Sequence, residues 1–188
     1  EYLRYSEKEM HGLQIWIALP KELEQMNPGF FHLDGSGIPA WMDSYTQYKL
    51  IAGEAFGRES PVPVYSKLYM IEIKSKIRQH IKIGHELYGE SGLYILEGSI
   101  ESEGNTYLPK QILISKDSSL CEFVMEANTS IYIFGGEPLP EERFIDWNFV
   151  GSSKEIISAA REKWIEQDFP KIKGDENEFV PYPSTLRK

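Results

Sequence analysis

Tyr69-Met70-Ile71-Glu72-Ile73-Lys74 is the stretch from which the fold unfolds: Tyr69, Ile71 and Ile73 alternate with Met70, Glu72 and Lys74. A period of two sends the first set to one face of a strand and the second to the other. The same rhythm continues downstream. Ile81 and Ile83 flank Lys82, and Leu93 to Leu96 form an apolar run closed by Glu97-Gly98. Ile100 is followed by a turn at Glu103-Gly104-Asn105, and Gln111 to Ile114, Cys121 to Met125 and Ser130 to Phe134 supply three further strands. Turn signals recur roughly every 8–12 residues, as in an all-β sandwich or barrel. From Lys67 to Phe134 no strand alternates with a long helix, so a parallel sheet is not expected.

The flanks differ. Leu13-Gln14-Ile15-Trp16-Ile17-Ala18-Leu19 is predicted as a strand stopped by Pro20, and Lys21 to Gln25 as a short helical turn ended by Pro28-Gly29. Asp34-Gly35-Ser36-Gly37 is a turn, and Tyr45 to Ala52 a strand ending at Gly53. Ser152-Ser153-Lys154-Glu155 fits a capping box with Ser152 at the N-cap. Ile156, Ala160 and Trp164 then share one helical face, with the end expected near Asp168, before Pro170. Phe179-Val180-Pro181-Tyr182-Pro183 is expected as an extended arm, since each residue before a proline is pushed out of the helical region.

The chain has 188 residues, 41% of them apolar, enough for one domain with a proper core. Its net charge of -9 argues against direct nucleic-acid binding. No apolar run approaches the ~18 residues of a membrane span, and the start Glu1-Tyr2-Leu3-Arg4-Tyr5 lacks the apolar core of a signal peptide. Cys121 is the single cysteine, so no internal disulfide is possible and a cytoplasmic setting is expected. Because the chain does not begin with Met, it is expected to be a fragment or a processed product.

Chemistry is sparse. The best candidate segment runs from Gly84-His85-Glu86-Leu87-Tyr88-Gly89 through Leu96-Glu97-Gly98. It resembles the first conserved box of the cupin superfamily. In metal-binding cupins that box carries two histidines one residue apart. Here only His85 is present, and Leu87 stands at the next-but-one position. A metal needs several converging imidazole or carboxylate ligands, and no histidine lies between Lys110 and Phe134. A turn or surface role for His85 is therefore preferred to a metal site. Cys121 is read as a small core hydrophobe, because a nucleophile needs a base beside it. His11 and His32 show no ligand spacing. Asp175-Glu176-Glu178 lacks a calcium-loop pattern, and Trp164, Phe169, Phe179 and Tyr182 are read as packing.

Several stretches together resemble the pirin family, a bicupin branch of that superfamily. His11-Gly12-Leu13-Gln14-Ile15-Trp16-Ile17-Ala18-Leu19-Pro20 is similar to the segment linking the two cupins. Ile51-Ala52-Gly53-Glu54-Ala55-Phe56-Gly57, with Ser60-Pro61-Val62, is similar to the lead-in to the second barrel. Tyr94-Ile95-Leu96-Glu97-Gly98, Gly135-Gly136-Glu137-Pro138-Leu139, Trp147-Asn148-Phe149-Val150-Gly151 and the tail to Pro181 continue the match. The resemblance implies an all-β cupin, an RmlC-like jelly-roll β-barrel, with a C-terminal α-helix and extended tail. Residues 1–20 would be the end of an N-terminal cupin and its linker, 21–150 the C-terminal barrel, and 151–188 the helix and arm.

In the family the metal, usually iron, belongs to the N-terminal barrel, and the C-terminal barrel carries none. No cofactor is therefore expected in this chain, with iron expected in a full-length parent and Glu1 the one candidate as a last ligand of that preceding site. Some bacterial pirins resemble quercetin 2,3-dioxygenases and others act through protein partners. Three readings follow. The first is a metal-free C-terminal cupin supporting an N-terminal one, and the second is part of an iron-dependent dioxygenase. The third is a metal-free cupin doing acid–base chemistry through His85, Tyr88 or Tyr94. The expected partner is the N-terminal cupin. A homo-oligomer or a regulatory protein partner is also considered, and no nucleic acid or membrane. Apolar surface at Leu13, Ile15 and Ile17 would favour self-association or pairing with an N-terminal fragment.

Overall fold

A computed structural model of the chain describes residues 12–116, 122–174 and 176–183. The chain divides into two compact units. One spans Glu22–Glu142, and the other joins the residues up to Lys21 to those from Arg143 onward.

The first unit is built on two antiparallel sheets. The larger uses β1 (Ala40–Asp43), β2 (Thr46–Ala55), β4 (Leu68–Ser75), β6 (Glu90–Glu97), β9 (Ile112–Ser115) and β11 (Thr129–Gly136), ordered β1-β2-β4-β11-β6-β9, with β3 (Arg58–Glu59) paired to β2. The smaller runs β5-β10-β7-β8, from β5 (Gln79–Lys82), β10 (Glu122–Met125), β7 (Ile100–Ser102) and β8 (Asn105–Tyr107). Alternation decides what lies between them. Leu50, Ile71, Ile73, Leu93, Ile95, Ile131 and Ile133 from the large sheet meet Ile81, Ile100, Phe123 and Met125 from the small one in a single core. This is the jelly-roll arrangement expected, as two packed sheets rather than one continuous ladder around a barrel.

Tight turns set the register. Phe56 and Gly57 join β2 to β3, and Glu103 and Gly104 join β7 to β8, all four with positive φ. Two such residues in a row match the twist of a hairpin. Gly53 was expected to end β2, yet the strand runs through it to Ala55. Its φ of 72° and its approach to the Leu68 carbonyl, which a Cβ would overlap, explain how. The glycine is a bend within the strand, beside the register shift between Leu50 and Ala52.

In the second unit, β12 (Phe144–Asp146) and β13 (Phe149–Gly151) form a hairpin followed by α1 (Lys154–Ile165). The N-cap is Ser153 rather than Ser152: its side chain accepts from the Ile156 N–H. The capping pattern holds one residue later, with two adjacent serines competing for the position. The helix stops at Ile165, earlier than Asp168, and its Trp164 joins an aromatic cluster. Trp147 sits 5.3 Å from Trp164 and 5.6 Å from Tyr182, and Phe149 stacks on Phe169 at 6.4 Å. The segment before Pro183 is neither helix nor strand. Trp164 Nε1 donates to the Val180 carbonyl at 2.8 Å, and Tyr182 donates to Asp146. Residues 12–20, by contrast, form no strand. Leu13, Ile15, Trp16 and Ile17 are 43%, 42%, 53% and 57% exposed, so the run does not alternate between faces. Apolar sequence alone does not make a strand; its backbone groups need a partner ladder. No helix among the described residues is long and apolar enough to cross a membrane.

The outer face of the large sheet has its own order. Glu72 accepts from Tyr132 at 2.8 Å and pairs with Lys74 at 2.7 Å. Burial pushes the Glu72 carboxyl up, but these two partners and the Lys49 charge together hold it below the usual range. Burial, then the Glu72 bond and charge, push Tyr132 up to about 12.

Three outcomes are expected. Leu93→Ala, at 0% exposure, costs about 2–5 kcal/mol by urea denaturation. Ile112→Thr, 57% exposed on the edge strand, costs under about 0.5 kcal/mol. Tyr132 keeps its proton in the folded chain at a pH where the unfolded chain has lost it. Stability is therefore full below about pH 10 and falls between about pH 10 and 12. Tyr132→Phe is less stable than the parent near neutrality, and the urea midpoints of the two converge as pH rises through that window.

Candidate functional site

The first unit opens beside the β2–β3 hairpin. A cavity of about 430 Å³ there is lined by Glu54, Phe56, Arg58, Glu59, Glu86 and Tyr88. The hairpin brings Glu54 and Glu59 opposite one another in register. The 3-10 turn Gly84–Glu86 supplies Glu86, and Tyr88 follows it. Gly89, with φ 64°, then passes so close to the Gly136 carbonyl that a side chain would collide with it. That close approach fixes where Tyr88 enters the fold.

Aromatic groups hold the cavity wall. Arg58 lies 4.4 Å over the Trp41 ring and donates to the Phe56 carbonyl at 3.1 Å. Trp41 in turn stacks on Tyr48 at 5.3 Å. Tyr88 meets Tyr69 edge-on at 5.0 Å, and the Lys67 ammonium sits 4.8 Å from the Tyr88 ring while pairing with Glu137 at 2.7 Å. Behind them, the buried Tyr69 and Ser91 hydroxyls share a 2.6 Å hydrogen bond. The Tyr88 hydroxyl is buried without a hydrogen-bond partner among the described residues. Burial first, then the Glu54, Tyr69 and Glu137 sides of its surroundings, push it up to about 12. Near neutrality it therefore holds its proton and can donate a hydrogen bond, not accept a proton.

The residues singled out from sequence fall in different places. His85 lies in the Gly84–Glu86 turn, and its side chain is outside what the structure describes. Tyr94 pairs with Tyr132 and Ile112, on the face of β6 opposite the core residues Leu93 and Ile95, so it is not brought to Tyr88. Glu1, His11, Cys121 and Asp175 lie outside the described residues. His32 is exposed, 4.0 Å from Asp34. His80 is on the outer face of the small sheet, 2.7 Å from Glu122, which also takes Lys82 at 3.3 Å. Sequence reading missed the Tyr69–Ser91 pair and the Arg58–Trp41 stack. Each joins positions well apart in the chain, and no local spacing signals it.

A bound iron, the metal that the resemblance implies for the family, does not fit the described residues. No three His, Cys, Asp or Glu side chains converge among them. The core of the unit is mostly apolar, and Leu87, where the second histidine of a metal box would stand, is 5% exposed and part of it.

A family model described as the pirin C-terminal cupin domain matches residues 70–170. A pirin-like protein from Caulobacter vibrioides is 35% identical over 184 residues, covering 97% of this chain and 63% of that protein. A Pseudomonas aeruginosa protein named for quercetin 2,3-dioxygenase is 30% identical over 163 residues, covering 86% of this chain and 51% of its own length. The crystal structure of a quercetin 2,3-dioxygenase from Acinetobacter baumannii superposes with a TM-score of 0.75 at 25% identity, over 89% of this chain and 56% of that one. The chain thus spans between half and two thirds of the length of these relatives. With that family model covering more than half of its residues, on a two-sheet jelly roll, the chain belongs to the pirin family through its C-terminal cupin domain.

Proposed function

We propose that this domain is the metal-free, non-catalytic half of a bicupin, which supports a metal-bearing N-terminal cupin and covers its face. The observation that carries the reading is Leu87. At the place where a metal-binding cupin presents its second histidine, this chain buries a leucine that belongs to the same core cluster as Leu50, Ile71, Leu93 and Ile133. Replacing a ligand by a packed aliphatic side chain converts the inside of the domain from a reaction vessel to a scaffold. The shares of the relatives left unmatched are long enough for a second cupin. The exposed apolar groups at Leu13, Ile15, Trp16 and Ile17 support a partner surface on the linker. The partner in this reading is the N-terminal cupin of the same protein, in the cytoplasm. Iron belongs to that cupin and not to this one.

A second reading rests on the relatives named for quercetin 2,3-dioxygenase: the whole protein is an iron-dependent dioxygenase of which this domain is one part. A third rests on the unpartnered Tyr88 hydroxyl, as a proton-holding group for acid–base chemistry in a metal-free cupin. The first and second are compatible, since they assign different tasks to different halves.

Metal analysis and oxygen uptake test the proposal. The purified 188-residue chain is expected to carry far less than one iron per molecule after incubation with Fe²⁺, and to consume no oxygen with a flavonol. Stoichiometric iron together with flavonol-dependent oxygen uptake overturns it. Light scattering is expected to show self-association, or a one-to-one complex when a separately produced N-terminal cupin is added. A clean monomer at high concentration that ignores that cupin counts against the scaffold role.

A further inference from the structure

We propose that a groove across the outer face of the large sheet binds an amphipathic monocarboxylate, with the anion at Ser130 and Lys76 and the apolar body over Met42, Tyr45 and Ile77. The site is distinct from the cavity at Tyr88 and independent of the scaffold role.

Strand register builds it. Met42 pairs with Gln47, Gln47 with Lys74, Lys74 with Ser130, and Ser130 with Glu97. These five side chains form one row across β1, β2, β4, β11 and β6. Their neighbours in each strand, Tyr48, Ile73 and Ile131, point the other way into the core. The row lines a cavity of about 510 Å³, together with Tyr45, Lys76, Ile77 and Asn128. That volume falls within the range of small-molecule sites.

Ser130 is the observation that points to a ligand. It is 5% exposed, it lines the cavity, and its hydroxyl has no hydrogen-bond partner among the described residues. A buried hydroxyl left unpaired is costly, and a ligand acceptor would satisfy it. Its neighbours Ser75 and Thr129 show the contrast: both line the same cavity, and both hydroxyls are satisfied, by the Ile77 and Ser99 carbonyls at 2.8 and 3.1 Å.

Charge and shape choose the class. Lys74 is committed to Glu72 at 2.7 Å, whereas Lys76 has no ion pair among the described residues. One ammonium and one unpaired hydroxyl lining the same cavity suit a single carboxylate. Glu97 stands past Ser130, on β6, and disfavours a second negative charge there. In the same cavity Met42, Tyr45 and Ile77 are 68%, 66% and 43% exposed, an apolar surface for the rest of the ligand, with Met42 at the end of the row away from Glu97. A neutral apolar compound would leave Ser130 and Lys76 unserved, and a dianion would face Glu97.

The probe is 4-phenylbutyrate, titrated into the 188-residue chain by amide-shift mapping and calorimetry. Shifts are expected at Lys74 to Ile77 and at Asn128 to Ser130, with 4-phenylbutyramide binding at least roughly tenfold more weakly. Ser130→Ala is expected to weaken binding roughly tenfold, as one hydrogen bond to a charged group requires, while its melting temperature stays at or above that of the parent. Lys76→Ala weakens binding and Glu97→Gln tightens it. Equal affinity for the amide overturns the proposal. So do unchanged affinities in Ser130→Ala and Lys76→Ala, or shifts scattered away from the groove.

Discussion

The two sheets close on an interior dominated by aliphatic side chains, and the rest of the molecule follows from that closure. Leu50, Ile71, Ile73, Leu93, Ile95, Ile100, Ile131 and Ile133 are all at 0% exposure. Such a core is close-packed, so it leaves no room for imidazole or carboxylate without a matching loss of contacts. The paired Tyr69 and Ser91 hydroxyls mark where polarity is tolerated inside, because they satisfy each other. Other polar chemistry is displaced to the opening at Tyr88 and to the outer sheet faces.

Those outer faces are not uniform. On the large sheet Glu72 gathers Tyr132 and Lys74 into a half-buried network that fixes side-chain positions. On the small sheet Arg78 bridges Glu101 and Glu126 at 3.0 and 2.7 Å, and Glu122 holds His80 and Lys82. These pairs are widely exposed, and exposed pairs add little to stability. They instead spread opposite charges over a strongly acidic chain, which keeps the flanks of the sheet well solvated.

Much of the fold was legible because a half-buried strand has a simple period. Tyr69, Ile71 and Ile73 declared the inner face of β4, and the residues between them declared its outer face. The apolar character of position 87 was equally legible in the sequence, and Leu87 packs into the core. What could not be read depended on partners far along the chain. Leu13 to Leu19 has a strand-like composition, but no described backbone pairs with it. Gly53 looked like a stop because a glycine at positive φ serves equally well as an end or a bend. The capping box slipped by one residue because Ser152 and Ser153 are chemically alike. Ser130 looked like an ordinary strand serine. Its unpaired hydroxyl exists only because register and packing bury it between Lys74 and Glu97.

The segment from Phe179 to Pro183 bears on the order in which the protein can be made. Tyr182 is 3% exposed, donates to Asp146 and touches Trp147, and Val180 accepts from Trp164. Arg143 meanwhile donates to the Leu19 carbonyl at 3.0 Å, so this unit draws on both ends of the chain. The residues of the two-sheet unit, Glu22–Glu142, are all made before those of the aromatic cluster. The aromatic cluster around Trp147 has to wait for Tyr182 to emerge. Until then its indole and phenyl faces stay open to water, so this cluster closes later than the core of the two-sheet unit.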